Sequence, residues 1–192
     1  MSTSPQIRQY ILGMSSPLDA WENFYIIIGS SAGALTGLQF VVMALIADTR
    51  EGATNLTIDT FGTPTIAHFC AVLMLAAIVS APWSSLTGAA ILFGMLGIWG
   101  ISYVIVIFLR TRKVTQYQPV PEDWIFHVVL PFIAYGLLLA GAFSLVAYPT
   151  TALFMIGTMG LILLFTGIHN AWDTVKFIVV EQIGPRKKSK AD

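Results

Sequence analysis

Three histidines and one aspartate are the residues of this chain whose chemistry is most suggestive. His169 and Asp173 are four residues apart, so on a helix they share one face and could ligate a cation together or form a proton-relay pair. His68 and His127 lie in two other apolar segments. Imidazole is a common metal ligand and also the side chain that changes charge near neutral pH. These four residues are therefore candidate ligands of a metal ion or haem, and candidate carriers of protons.

A purely structural role also explains these residues. Histidine is tolerated near the membrane interface, and Asp173 can pair with Lys176 three residues later on a helix. No H-E-x-x-H or C-x-x-C spacing accompanies the histidines. Cys70, two residues from His68, is expected to point to another helix face and to pack there. The sequence therefore predicts no cofactor and keeps a metal or haem as the alternative.

Further polar residues lie within the apolar segments. Gln39 must find a partner or water there, because an unpaired amide in hydrocarbon costs about 1 to 3 kcal/mol or more. Thr166 shares the helix face of His169. Hydrogen bonds between helices are one interpretation, and a wet path is the other. The second predicts a pore or polar cavity lined by Thr36, Gln39, His68, His127, Thr166, His169 and Asp173.

Long segments without charge must position these side chains. The ranges Asn23–Ala47, Thr60–Leu109 and Trp124–Trp172 contain no Asp, Glu, Lys or Arg. A helix needs about 20 apolar residues to cross a bilayer core of about 30 Å, so the short range is one span and each long range is a helical hairpin. Charged residues make up 10% of the chain, against about 25% in soluble domains. We expect an all-α integral membrane protein, a five-transmembrane-helix bundle.

The bundle should form a single transmembrane domain over residues 1–192, because the connections are too short to fold independently. The predicted spans are approximately 24–47, 64–83, 87–109, 124–147 and 150–172, with a helical extension of the last to about 183. The chain should therefore be a multi-pass membrane protein. Its Gly- and Ala-rich first span followed by a polar loop is similar to many small bacterial membrane proteins, which implies a bacterial inner membrane.

The positive charges are strongly segregated. Nine of the ten Lys and Arg residues fall in the first loop, the third loop or the tail from Lys176 onward, and only Arg8 is on the other side. Positive charge is retained in the cytoplasm, so the N-terminus is expected outside and the C-terminus inside. The basic tail should contact anionic lipid. A net charge of zero gives no reason to expect a nucleic-acid partner.

Three glycines on the first span give the most specific packing signal. Gly29, Gly33 and Gly37 form two overlapping G-x-x-x-G steps, which let another helix approach closely, either within one protomer or between protomers. The same stretch matches G-x-S-x-G around Ser31. We exclude Ser31 as a nucleophile because that motif needs a sharp strand-to-helix turn.

No catalytic motif of comparable strength accompanies the spans, so the sequence favours a non-enzymatic function. The leading hypothesis is a small homo-oligomeric ion channel or transporter with a polar, titratable cytoplasmic mouth. Five helices enclose little space, so its pore would form mainly between subunits. The alternatives are a membrane metal- or haem-binding enzyme and a structural or modulatory subunit of a larger membrane complex. The transported ion or solute is not specified by the sequence.

Overall fold

The computed structural model describes residues 16–49, 63–111 and 124–182, with side chains for 16–44, 63–109 and 124–176. The secondary structure of this part is entirely helical. A short 3₁₀ turn, Asp19–Trp21, leads into five helices: α1 (Glu22–Thr49), α2 (Thr63–Ser80), α3 (Leu86–Thr111), α4 (Leu130–Ser144) and α5 (Pro149–Gln182). Each of the five, α4 together with the turn before it, is long and apolar enough to cross a membrane. The prediction of five apolar spans is confirmed for the described residues.

Prolines and local hydrogen bonds define the helix ends of the first hairpin. Pro64 occupies the first turn of α2, where its missing N–H would have no helical partner in any case. After α2 ends, the indole Nε1–H of Trp83 donates to the carbonyl of Ile78 at 2.6 Å. The backbone N–H of Thr87 donates to the Ser85 hydroxyl at 3.3 Å as α3 begins. These bonds satisfy backbone groups that a helix end leaves open.

A widened turn precedes α4. Ile125–Val129 is π-helical, and the backbone N–H of Leu130 donates to the carbonyl of Ile125, five residues earlier. Pro131 explains the widening, because its ring clashes with the carbonyl four residues before it and it has no N–H to donate. The carbonyl four residues before Pro131 belongs to His127. His127 therefore lies on an irregular turn at the start of the fourth span.

The first two glycines of the predicted ridge contact α2. A Cβ atom at Gly29 would lie 2.7 Å from the Cβ of Ala76, and one at Gly33 would lie 3.8 Å from Leu73. Gly33 comes after Gly29 in α1, whereas its contact Leu73 comes before Ala76 in α2. The two helices are therefore antiparallel. A Cβ atom at Gly37 would meet nothing within 4 Å. The close approach of α1 to α2 is therefore centred on Gly29, while Gly37 faces open space.

The other helices alternate in direction in the same way. Gly97 of α3 faces Leu139 of α4, and Gly100 faces Tyr135, which makes this pair antiparallel. A short turn joins α4 to α5, and these two helices pack along each other. The chain therefore forms an up-and-down bundle in which α1, α3 and α5 run one way while α2 and α4 run the other.

Helix α5 lies against both α1 and α2. A Cβ atom at Gly160 would be 3.0 Å from Leu75 of α2 and 3.1 Å from Ile28 of α1, and Gly167 faces Phe69 of α2. In the most apolar windows of α2 and α5, 56% of residues are buried, compared with 22% in α1 and α3. Helices α2 and α5 therefore form the centre of the bundle. The exposed faces carry large apolar side chains suited to lipid, such as those of Phe143 and Ile98.

Substitution of the ridge glycines tests this packing. Gly29→Leu is expected to destabilise the bundle by about 1 to 3 kcal/mol, because its side chain would overlap Ala76. Gly37→Leu is the matched control and should leave the stability unchanged. Thermal unfolding in detergent measures both, and light scattering reports their mass. Equal stability of the two variants would contradict the packing, and a reduced mass of Gly37→Leu alone would indicate a contact between protomers at Gly37.

Candidate polar site at one end of the bundle

Five polar side chains are buried among the apolar ones. They come from α1, α2 and α5, and each is at most 3% exposed: Gln39, Thr65, His68, Thr166 and Asn170. They are called the polar cluster below. None of the five carries a permanent charge. Buried polar groups in a membrane bundle are costly, so their concentration in a few helical turns marks this region as the candidate site.

Gln39 and Asn170 lie at nearly the same depth. Helices α1 and α5 run in the same direction, and Gly160 of α5 lies beside Ile28 of α1. Gln39 is 11 residues beyond Ile28, and Asn170 is 10 residues beyond Gly160. A helix rises about 1.5 Å per residue, so the two amides are at matching levels. Both are therefore near the same end of the bundle.

Helix α2 brings Thr65 to this level as well. Phe69 lies against Gly167, and α2 runs antiparallel to α5. Thr65, four residues before Phe69, is then level with the position four residues after Gly167, which is next to Asn170. The three helices pack against one another in pairs. They therefore form a polar layer, with His68 and Thr166 about one turn deeper in the bundle.

Several atoms of the polar cluster have no hydrogen-bond partner in the described part of the chain. These atoms are Gln39 Nε2, Asn170 Nδ2 and Oδ1, Thr166 Oγ1 and His68 Nε2. Each buried donor or acceptor without a partner costs about 1 to 3 kcal/mol. The polar cluster therefore offers both donors and acceptors to water or to a bound polar species.

His68 connects the polar cluster to α4. Its imidazole is fully buried, and Nδ1 lies 3.4 Å from the hydroxyl oxygen of Tyr135, which is also fully buried. Tyr135 either donates to Nδ1 or accepts from it, depending on the imidazole tautomer. His127, on the widened turn before α4, acts electrostatically on His68. Two histidines from different helices therefore belong to one electrostatic environment.

A second group lies nearer the end of α5. His169 Nε2 is 3.0 Å from Asp173 Oδ2, and Lys176 forms an ion pair with Asp173 Oδ1. The imidazole of His169 stacks on Phe126, with ring centroids 3.5 Å apart. The side chains of His169 and Asp173 are 24% and 37% exposed. His169, Asp173 and Lys176, called the mouth cluster below, are therefore more accessible than the polar cluster.

The predicted site residues separate into three groups. Gln39, His68 and Thr166 are in the polar cluster, whereas His169 and Asp173 are in the mouth cluster. His127 lies on the widened turn before α4. The hydroxyl of Thr36 donates to the Ala32 carbonyl of its own helix at 2.8 Å, so its hydrogen bond is made locally. Ser31 likewise donates to the Ile27 carbonyl, at 2.8 Å.

The candidate metal ligands are distributed in the same way. His169 and Asp173 are adjacent, while His68 is bonded to Tyr135. In the part of the chain that the structure describes, no three His, Cys, Asp or Glu side chains are grouped to hold one metal ion. The histidine and aspartate side chains can exchange protons, and the His169–Asp173 pair can attract a cation.

Sequence reasoning missed Thr65, Asn170 and Tyr135. Thr65 follows Pro64, whose signal for a helix start is the stronger one, and Asn170 follows His169, whose chemistry is the more conspicuous. A usable signal exists for Asn170, because it follows Thr166 by four residues on α5. Nothing in the sequence links Tyr135 to His68, since the contact depends on how α2 and α4 are rotated.

An apolar groove lies outside the polar cluster, between the fourth and fifth spans. Its volume is about 290 Å³ and it is open to the exterior. It is lined by Phe126, Leu130, Thr158, Leu161, Ile162, Phe165 and Thr166. The hydroxyl oxygen of Thr166 is buried, so the groove offers an apolar surface only. Such a surface suits the hydrocarbon of a lipid.

The fold defines a multi-pass membrane protein with five apolar helices. No protein-family model, curated protein or solved structure matches the chain. Its function is therefore inferred from its own side chains.

Asn170→Leu distinguishes a binding site from structural hydrogen bonding. Leucine has a similar size and removes two polar atoms that lack protein partners, so thermal stability should be retained or increase by about 1 kcal/mol. Asn23→Leu, at an exposed position of α1, is the control. Thermal unfolding in detergent measures both variants. A loss of several kcal/mol confined to Asn170→Leu would instead identify Asn170 as an essential link between helices.

Proposed function

We propose that this protein is an ion channel or transporter and that the polar cluster and the mouth cluster form its cytoplasmic entry. The observation that carries the proposal is the set of buried polar atoms without protein partners. Ionisable and polar groups in membrane-spanning segments are costly, and they commonly mark ion paths and proton relays. Structural hydrogen bonding between helices would require partners that Gln39 Nε2 and both amide atoms of Asn170 do not have among the described residues.

The charge distribution supports the direction of this entry. In the sequence, nine of the ten basic residues lie in or after the last turns of α1, α3 and α5, and these three helices run toward the end of the bundle that contains the polar cluster. By the positive-inside rule this end faces the cytoplasm and the N-terminus is outside. We therefore propose a bacterial inner-membrane protein whose entry opens to the cytoplasm.

The middle of the bundle is closed by apolar side chains. Leu75, Leu138, Ile156, Met159 and Leu163 are at most 1% exposed and separate the polar cluster from the N-terminal end of α5. A dense apolar layer resists ions, so a protomer must open there or continue the path along a neighbouring copy. We propose a homo-oligomer. The open space beside Gly94 is compatible with the close approach of another helix.

The mouth cluster gives a direct test of transport. Asp173→Asn is expected to lower cation flux into liposomes by roughly tenfold, because a carboxylate at an entrance raises the local cation concentration. Lys176→Gln is the matched control: it leaves the contact between His169 and Asp173 in place and, because it removes a positive charge beside the carboxylate, should not reduce the flux. Flux is measured between about pH 5 and 8, where histidine ordinarily changes its charge.

Two outcomes would count against the proposal. Flux that is equal in the wild type and Asp173→Asn at every pH would exclude the mouth cluster from the path. Wild-type liposomes no more permeable than protein-free ones, to protons, to metal cations, to chloride and to small neutral solutes, would exclude transport itself.

A further inference from the structure

We propose that the transported ion is the proton, and that His68 and Tyr135 are its innermost carriers. This inference rests on the proposed transport function and names its substrate. It starts from the geometry of His68, whose Nδ1 is 3.4 Å from the Tyr135 hydroxyl and whose Nε2 has no hydrogen-bond partner among the residues that the structure describes. Nδ1 thus forms a hydrogen bond with a residue of α4, and Nε2 can accept a hydrogen bond or a proton from a water molecule.

The composition of the polar cluster favours a proton over a metal cation. Its buried members are two amides, two hydroxyls and one imidazole, with no carboxylate. A metal cation in a low-dielectric interior needs a countercharge and several oxygen ligands. A proton needs no shell of oxygen ligands, because it bonds covalently to the imidazole that accepts it and moves along hydrogen bonds. The imidazolium is costly in this interior and is therefore occupied only during transfer.

The position of His68 is that of a relay at the edge of the apolar layer. It lies about one turn deeper than the level of Gln39 and Asn170, and the apolar layer with Leu75 and Leu138 lies beyond it. A proton that passes the polar cluster therefore reaches His68 last before the apolar layer.

The transfer through this pair conserves atoms and charge. The starting imidazole carries its proton on Nδ1 and donates to the Tyr135 oxygen, which leaves the Nε2 lone pair free. A proton carried by water bonds to Nε2 and gives an imidazolium. The Nδ1 proton then moves to the Tyr135 oxygen, which releases its own phenolic proton to a water on the far side. The imidazole is left neutral with its proton on Nε2, and reorientation of the ring that turns this N–H toward Tyr135 readies the pair for the next proton. No oxidant or reductant takes part.

The ionisable groups around the pair come from three helices. His127 belongs to the turn before α4, and it acts on His68. Tyr103 of α3 and Cys70 of α2 act electrostatically on Tyr135. The neighbours from α1 and α5 in the polar cluster are neutral side chains. The ring of Tyr135 packs against Gly100 of α3, so the α3 side of the bundle is where the released proton would leave.

Parallel flux assays on the full chain in liposomes test the inference. A pH-sensitive dye inside the vesicles reports proton entry driven by a potassium diffusion potential. Separate arms measure sodium, chloride and glycerol. We expect wild-type proton flux well above that of protein-free vesicles, with the other three arms at background. His68→Gln should lower the proton flux by roughly tenfold or more, since a glutamine amide does not take up a proton at neutral pH.

Tyr135→Phe keeps the inference testable if His68→Gln does not fold. Phenylalanine keeps the ring that packs over Gly100 and removes only the hydroxyl, so the bundle should stay intact while proton flux falls by roughly tenfold. Tyr148→Phe is the matched control, because Tyr148 is exposed in the turn at the opposite end. Its proton flux should equal that of the wild type.

The possible failures are distinguishable. Wild-type proton flux in Tyr135→Phe, or in a folded His68→Gln, would overturn the relay. Sodium, chloride or glycerol flux without proton flux would overturn the choice of proton while the transport proposal stands. Background flux in all four arms would overturn both.

Discussion

The constraint on which this structure depends is that polar groups in hydrocarbon must find their partners within the protein. Helices satisfy the hydrogen bonds of the backbone N–H and C=O groups. The hydroxyls of Ser31 and Thr36 donate hydrogen bonds to carbonyls of their own helix. The side chains of Gln39 and Asn170 are buried in the bundle. Gln39 Nε2 and both amide atoms of Asn170 have no hydrogen-bond partner among the described residues. The polar cluster is therefore an exception to the rule that buried polar groups have hydrogen-bond partners. Hydration of the polar cluster for transport explains this exception.

The fold was largely predictable because its determinants are local in sequence. The ranges without charge set the number of spans, and Pro64 and Pro149 lie in the first turns of α2 and α5. The rotation of each helix about its own axis was harder to predict from the sequence. The glycine pattern on α1 indicates a packing face, but only the tertiary structure shows that Gly29 meets Ala76 while Gly37 meets nothing within 4 Å. Glycines spaced by four residues share one face of a helix, but their spacing does not show whether that face contacts another helix or lipid.

The site was predictable in part for the same reason. Rare polar residues in apolar ranges identified Gln39, His68 and Thr166, all of which are buried. The pair of His169 and Asp173 followed from helical spacing and is present at 3.0 Å. The contact between His68 and Tyr135 joins residues far apart in sequence, and Pro131 changes the helix just before Tyr135 by widening a turn. Such contacts depend on the relative rotation of two helices, which no single-helix pattern encodes.

Water access to the polar cluster tests the central claim most directly. In a Cys70→Ala background, Asn170→Cys and the control Leu163→Cys introduce a thiol at two buried positions of α5 that differ in depth. A small, charged, membrane-impermeant thiol reagent, added to membranes with both faces open, should modify position 170 at a measurable rate and leave position 163 unmodified. Equal protection of both positions in the folded protein would contradict a hydrated polar cluster and leave its side chains with a structural role only.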